Sequence, residues 1–117
     1  MANILVVEDE PEILQFIGAA LEFDGHDVTL AWDGQQALNS IAGLVPDLVV
    51  LDMSLPRIAG DGVASAIREQ HGDVPILLIT ADGSAAEKAQ RVGAFTYLSK
   101  PFDVDRLLTI IRSRLTS

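Results

Sequence analysis

The sequence predicts an α/β fold, a doubly wound (βα)5 domain in which five parallel strands alternate with five helices. Three observations carry this. Strand-length apolar runs alternate with helical patterns along the whole chain. The runs Ile4–Val7, Leu48–Leu51 and Ile76–Ile79 are continuous rather than alternating. Continuous runs belong to strands covered on both faces, as in a parallel sheet between helix layers. The connections are also short.

Strands are expected near 3–7, 27–31, 47–52, 75–80 and 95–99, and helices near 11–24, 34–43, 61–71, 84–92 and 103–115. Pro11 suits the first turn of the first helix, where its missing N–H costs nothing. That helix has two apolar rows, Leu14–Ile17–Leu21 and Ile13–Phe16–Ala20–Phe23. One arrangement buries both rows as a broad stripe; the other leaves Ile13 and Phe16 partly exposed. Gly25, Gly72 and Gly93 stand where helices end, fitting left-handed caps. Ser84 and Glu87 have capping-box spacing. The fourth helix offers only Ala85, Ala86, Ala89 and Val92 as apolar anchors, which predicts a weak grip and a mobile helix. Asp103 can cap the last helix, with Phe102 and Leu107 as a hydrophobic staple. Val104, Leu107, Leu108, Ile111 and Leu115 then face the sheet.

Composition narrows the function classes. The 117 residues fit one domain, 1–117, with no output domain expected. Residues are 49% hydrophobic and 21% charged, a globular balance. No cysteine is present, so disulfides and thiolate metal sites are excluded. No apolar run approaches membrane-spanning length and no signal peptide is visible. A cytoplasmic protein is the expectation. The net charge of −9 repels nucleic-acid phosphate. The densest cations, Arg106, Arg112 and Arg114, are read as complementing the carbonyl end of their helix. Direct DNA binding is therefore not expected.

Chemistry collects at the strand ends. The strand runs finish on Glu8-Asp9-Glu10, Asp52, Thr80 and Lys100-Pro101. In an open parallel sheet ligands bind beyond the carboxyl ends of the strands. Clustered carboxylates favour a hard divalent cation, and Mg2+ fits oxygen ligands and phosphate best. His26 and His71 lie far apart, which argues against zinc. Both are read as surface residues without a role. A carboxylate can attack phosphorus if charge on the transferred oxygens is neutralised. Asp52 is the expected nucleophile, with Glu8 and Asp9 on the metal. Lys100 and the Thr80 hydroxyl would each meet a phosphoryl oxygen. Taken singly, each residue has a plainer reading: a solvated acidic helix start, a cap, an exposed lysine, a half-buried tyrosine. The conjunction outweighs them.

These motifs resemble the response-regulator receiver domain, the phosphoacceptor module of two-component and phosphorelay signalling. The resemblance runs from Ile4 to about Leu115. It is carried by Val7-Glu8-Asp9-Glu10, by Leu51-Asp52-Met53-Ser54-Leu55-Pro56 with Gly60, by Ile79-Thr80-Ala81, and by Tyr97-Leu98-Ser99-Lys100-Pro101-Phe102. It implies a flavodoxin-like strand order 2-1-3-4-5. It implies that Asp52 takes a phosphoryl group from a histidine kinase or histidine phosphotransfer protein, with Mg2+ held by Glu8, Asp9, Asp52 and the backbone carbonyl of Ser54. It further implies a cis bond before Pro101, a switch in which Thr80 moves and Tyr97 turns inward, and partner docking at Ile13, Phe16 and Pro101. Ser54 and Asp82 fall where dephosphorylation is tuned in the family. The stretches from Asp52 to Thr80 and from Thr80 to Lys100 are slightly shorter than usual there. The second shortening falls on the fourth helix.

Other functions fit less well. A phosphatase of the haloacid dehalogenase type places a second aspartate two residues after its nucleophile, where this chain has Ser54. A flavin or dinucleotide binder needs a phosphate-cradling loop after the first strand, where Glu8-Asp9-Glu10 would repel phosphate. A receiver-like module that no longer takes phosphate would not need all the site residues. The expected protein phosphorylates and dephosphorylates itself but is not a turnover enzyme, and its downstream target is unspecified.

Overall fold

The computed structural model describes residues 2–53, 60–81 and 83–116. Strands are β1 (Asn3–Val7), β2 (Asp27–Ala31), β3 (Leu48–Asp52), β4 (Ile76–Thr80) and β5 (Thr96–Ser99). Helices are α1 (Pro11–Phe23), α2 (Gly34–Gly43), α3 (Gly60–His71), α4 (Ala85–Val92) and α5 (Val104–Thr116). The strands are parallel and run β2-β1-β3-β4-β5, the order the resemblance implies.

Alternation along each strand builds two cores. Leu5, Val7, Val49, Leu51, Ile76 and Leu78 meet α2, α3 and α4 through Ala37, Ile41, Val63, Ile67, Ala89 and Val92. Ile4, Val6, Leu48, Val50, Leu77, Ile79 and Leu98 meet α1 and α5 through Leu14, Ile17, Leu21, Leu107 and Ile111. β1, β3 and β4 lie inside the sheet and are apolar on both faces, which explains their continuous runs.

Helix ends follow the local chemistry in part. Pro11 opens α1. Asp33 caps α2 by accepting from Gln36 N at 2.8 Å, and the Gln36 amide oxygen accepts from Trp32 N at 3.1 Å. This pair of bonds was not anticipated from the sequence, although Asp33 and Gln36 have capping spacing. Asp103 precedes α5 and accepts from Asp105 N at 2.9 Å. Ser84 is the N-cap of α4, but its side chain makes no capping bond, so the anticipated box is not closed.

Two expectations need correction. The C-terminal cations do not merely face their own helix end: Arg112 forks onto Asp24 at the end of α1, with both contacts at 2.7 Å, and the Arg114 guanidinium lies 5.1 Å from the centre of the Phe95 ring. The histidines are not idle surface residues. His71 Nε2 lies 2.6 Å from the Ile41 carbonyl near the end of α2, and His26 is mostly buried beside Asp24. The apolar anchor set of α4 is as small as expected. Only Ala85, Ala89 and Val92 are buried, with Ala86 exposed. However, Arg68 of α3 donates to the carbonyls of Val92 and Gly93 at 2.7 and 2.9 Å. Arg91 also pairs with Asp61 at the start of α3, at 3.1 and 3.2 Å. Gly93 permits this clasp: its φ is 72°, and a Cβ there would stand 2.6 Å from Arg68 Nη2.

Candidate functional site

The carboxyl ends of β1, β3, β4 and β5 converge as the sequence predicts. Val7 pairs with Leu51, Asp52 with Ile79, and Thr80 with Ser99. Backbone pairing continues just past the strands. Glu8 N donates to the Ala31 carbonyl at 3.0 Å, Met53 N to Ile79 at 3.1 Å, and Lys100 N to Thr80 at 2.8 Å. Each side chain at this edge is therefore fixed by the ladder below it. Glu8, Asp52 and Lys100 continue the pleat phase of Val6, Val50 and Leu98, on the α1 and α5 face. Thr80 continues the phase of Leu78, on the other face.

Glu8, Asp52 and Thr80 are fully buried. Lys100 Nζ lies 2.8 Å from Glu8 Oε1, 3.4 Å from Asp52 Oδ2 and 3.3 Å from Glu10 Oε1. Burial pushes the Glu8 carboxyl up to about 7; the Lys100 ammonium and the Glu10 N–H oppose this, and neighbouring Asp52 adds to it. Burial acts to lower the Lys100 ammonium, but the Glu8 bond and the charges of Asp52 and Glu8 outweigh it and hold the lysine above its usual range. Among the described residues, one cation, Lys100, thus faces three carboxylates, and the balance of these four groups is negative.

That balance fits a hard divalent cation. One carboxylate oxygen from each of Glu8, Asp9 and Glu10 lies within 4.8 Å of the others. Glu8 Oε1 is buried and ion-paired to Lys100, but makes no aligned hydrogen bond. An all-oxygen, anionic donor set suits Mg2+ rather than zinc. Asp52 adjoins this group through their shared lysine. Glu10 belongs to this acidic run by position, whereas the sequence assigns the metal to Glu8 and Asp9. Ser54 and Asp82 lie outside the described residues, as does Pro56.

Around this centre, the Lys100–Pro101 bond is cis, as anticipated. Tyr97 is 40% exposed and pairs with Leu78, so it shares the pleat side of Thr80, two register positions below it. On α1 the second arrangement holds. Leu14, Ile17 and Leu21 are buried, Ile13 is half-buried and Phe16 is 56% exposed. Ile13 and Phe16 line a groove with Glu10, Ala81, Lys100, Pro101 and Phe102. Among the described residues, no helix is long and apolar enough to cross a membrane.

Comparison with known proteins agrees with this geometry. Residues 4–112 match the model of the response regulator receiver domain. The response regulator MprA of Mycolicibacterium vanbaalenii is 41% identical over 115 residues, covering 97% of this chain and 50% of that protein. The DNA-binding dual master transcriptional regulator RpaA of Synechocystis sp. is 39% identical over 119 residues, covering 98% of this chain and 49% of that protein. The chain spans about half the length of these curated relatives. Among solved structures, the chemotaxis protein CheY4 of Vibrio cholerae superposes with a TM-score of 0.88 at 32% identity, covering 97% of this chain and 98% of that one. The receiver domain of NtrX from Brucella abortus gives 0.88 at 34%, with the same coverage. On the family match across the sheet and its acidic edge, this chain belongs to the receiver domains of two-component response regulators.

Proposed function

We propose that Asp52 is a phosphoacceptor, that Mg2+ is its cofactor, and that phosphorylation switches the surface read by a partner. The observation that carries this is the fully buried Asp52 carboxylate with Lys100 Nζ 3.4 Å away and Glu8 on the lysine's other side. A buried carboxylate beside a shared cation, at the carboxyl edge of a parallel sheet, suits attack on phosphorus.

The donor is a phosphohistidine on a histidine kinase or histidine phosphotransfer protein. An Asp52 oxygen forms the new O–P bond as the donor's N–P bond breaks. The imidazole nitrogen keeps the electron pair and takes up a proton. Lys100 pairs with one phosphoryl oxygen, and the Thr80 hydroxyl approaches another from the opposite pleat side. Glu8, Asp9, Asp52 and the Ser54 carbonyl are the proposed metal ligands. Mg2+ would supply positive charge to the transferred oxygens.

Thr80 and Tyr97 share a sheet face, so withdrawal of Thr80 toward the phosphoryl group opens space behind it for the tyrosine ring. The groove at Ile13, Phe16 and Pro101 receives the donor. The exchange is placed in the cytoplasm, and the protein modifies itself rather than turning over a metabolite. Beryllofluoride addition with and without Mg2+, read by amide NMR with Asp52→Asn as control, tests the proposal. A magnesium-dependent change confined to the wild type is expected; an identical response in Asp52→Asn sinks it.

A further inference from the structure

Lys100 makes a third ionic contact that phosphoryl transfer does not need. Its Nζ lies 3.3 Å from Glu10 Oε1. The Glu10 side chain is 59% exposed, whereas those of Glu8 and Asp52 are fully buried. The ammonium is therefore held by buried carboxylates on one side and by an exposed one at the rim. The Glu10 backbone is fixed: its N–H donates to Glu8 Oε2 at 3.0 Å and its carbonyl accepts from Leu14 N at 2.9 Å. Only the side chain is free to move. Glu10 also lines the groove formed with Ile13, Phe16 and Pro101, so an occupant of that groove meets it.

We infer that Glu10 is a releasable latch on Lys100, a positioning residue that draws the ammonium toward the rim at rest and yields it when a phosphoryl group needs it. The inference rests on the role proposed above for Lys100. An ammonium has three donors, and three carboxylates already compete for them. A phosphoryl oxygen on Asp52 must displace one. The exposed pair is the weakest and the most screened by salt, so Glu10 is the contact that gives way. The latch therefore reduces the fraction of molecules in which Lys100 is ready for transfer.

Two substitutions separate this from simple repulsion of an anionic donor. Glu10→Gln removes the charge. Glu10→Asp keeps it, but from a fixed backbone the shorter side chain cannot span to Lys100. Side-chain NMR relaxation of Lys100 in the unphosphorylated protein should show greater mobility in both variants. The phosphorylation rate at saturating phosphoramidate and Mg2+ should rise about two- to fivefold in both, with KM little changed, and the gain should shrink in high salt. Unchanged lysine relaxation in both variants would overturn the latch. So would Glu10→Asp behaving as wild type while Glu10→Gln only lowers KM, because that pattern is repulsion. If the wild type takes no phosphoryl group at all, the phosphoacceptor reading fails, and the lysine relaxation alone decides the latch.

Discussion

The Lys100 ammonium lies 2.8 Å from Glu8, a fully buried carboxylate at the end of a different strand. This pair joins β1 to β5 across the ends of β3 and β4. Lys100 also lies 3.4 Å from Asp52 Oδ2 and so supplies it with a positive neighbour. Lys100→Met should keep the fold and still bind Mg2+, because the carboxylate ligands remain. Phosphorylation by a small donor should fall about a hundredfold, the scale for losing one preorganised charge on a transferred group. Binding isotherms and phosphorylation rates on the same sample check both halves.

Glu8 gives the fold a pH signature. Its folded pKa is pushed up to about 7 from 4.5. Between these values the native state binds more protons than the unfolded chain, so stability falls as pH rises through that window. The loss is on the order of a few kcal/mol. Mg2+ should reverse it by compensating the ionised carboxylate. Asp24 acts in the opposite sense at lower pH. Arg112 holds it below its usual 3.8, so its contribution is lost as pH falls through the folded value. Urea unfolding in chelator should be more resistant at pH 5 than at pH 8, and excess Mg2+ should remove the difference.

Arg68 holds the end of α4 through two carbonyls. Arg68→Ala leaves both without these charge-assisted bonds, which is worth about 1–3 kcal/mol of local stability. Amide exchange across residues 85–92 should accelerate about tenfold or more, while α5 exchange barely changes. Equal acceleration in both helices would mean that the clasp stabilises the whole domain rather than α4.

Phe16 is 56% exposed on the groove beside Pro101. Phe16→Ala should change stability by less than about 0.5 kcal/mol, as for an exposed residue. It should slow phosphotransfer from a cognate histidine donor about tenfold or more, as loss of a docking anchor does. Acetyl phosphate, which needs no docking, should react at the wild-type rate. Stopped-flow transfer compared with acetyl phosphate kinetics reads this directly.

The fold was legible because β1, β3 and β4 announce themselves twice, by a continuous apolar run and by the polar residue that ends it. Glu8, Asp52, Thr80 and Lys100 could be placed together once the strands were taken as parallel. Contacts between long side chains of distant elements were not legible. Nothing near Arg68 in the sequence signals that it reaches Val92, and Arg112 gives no sign of its bond to Asp24. The expectation of a loosely held α4 counted apolar anchors and could not see the carbonyl clasp. The contact of Glu10 with Lys100 was not legible, because an acid beside a metal site reads as solvated until a lysine from another strand is found against it. His71 was overlooked for a similar reason, since its partner is the Ile41 carbonyl on the neighbouring helix.

The most direct test of the central claim is the site of covalent modification. Phosphoramidate and Mg2+ should add one phosphoryl group to the intact protein. Borohydride reduction followed by peptide mass spectrometry should place it on Asp52, and both chelation and Asp52→Asn should abolish the adduct. A stable adduct on any other residue, or one that forms equally without Mg2+, would contradict the account.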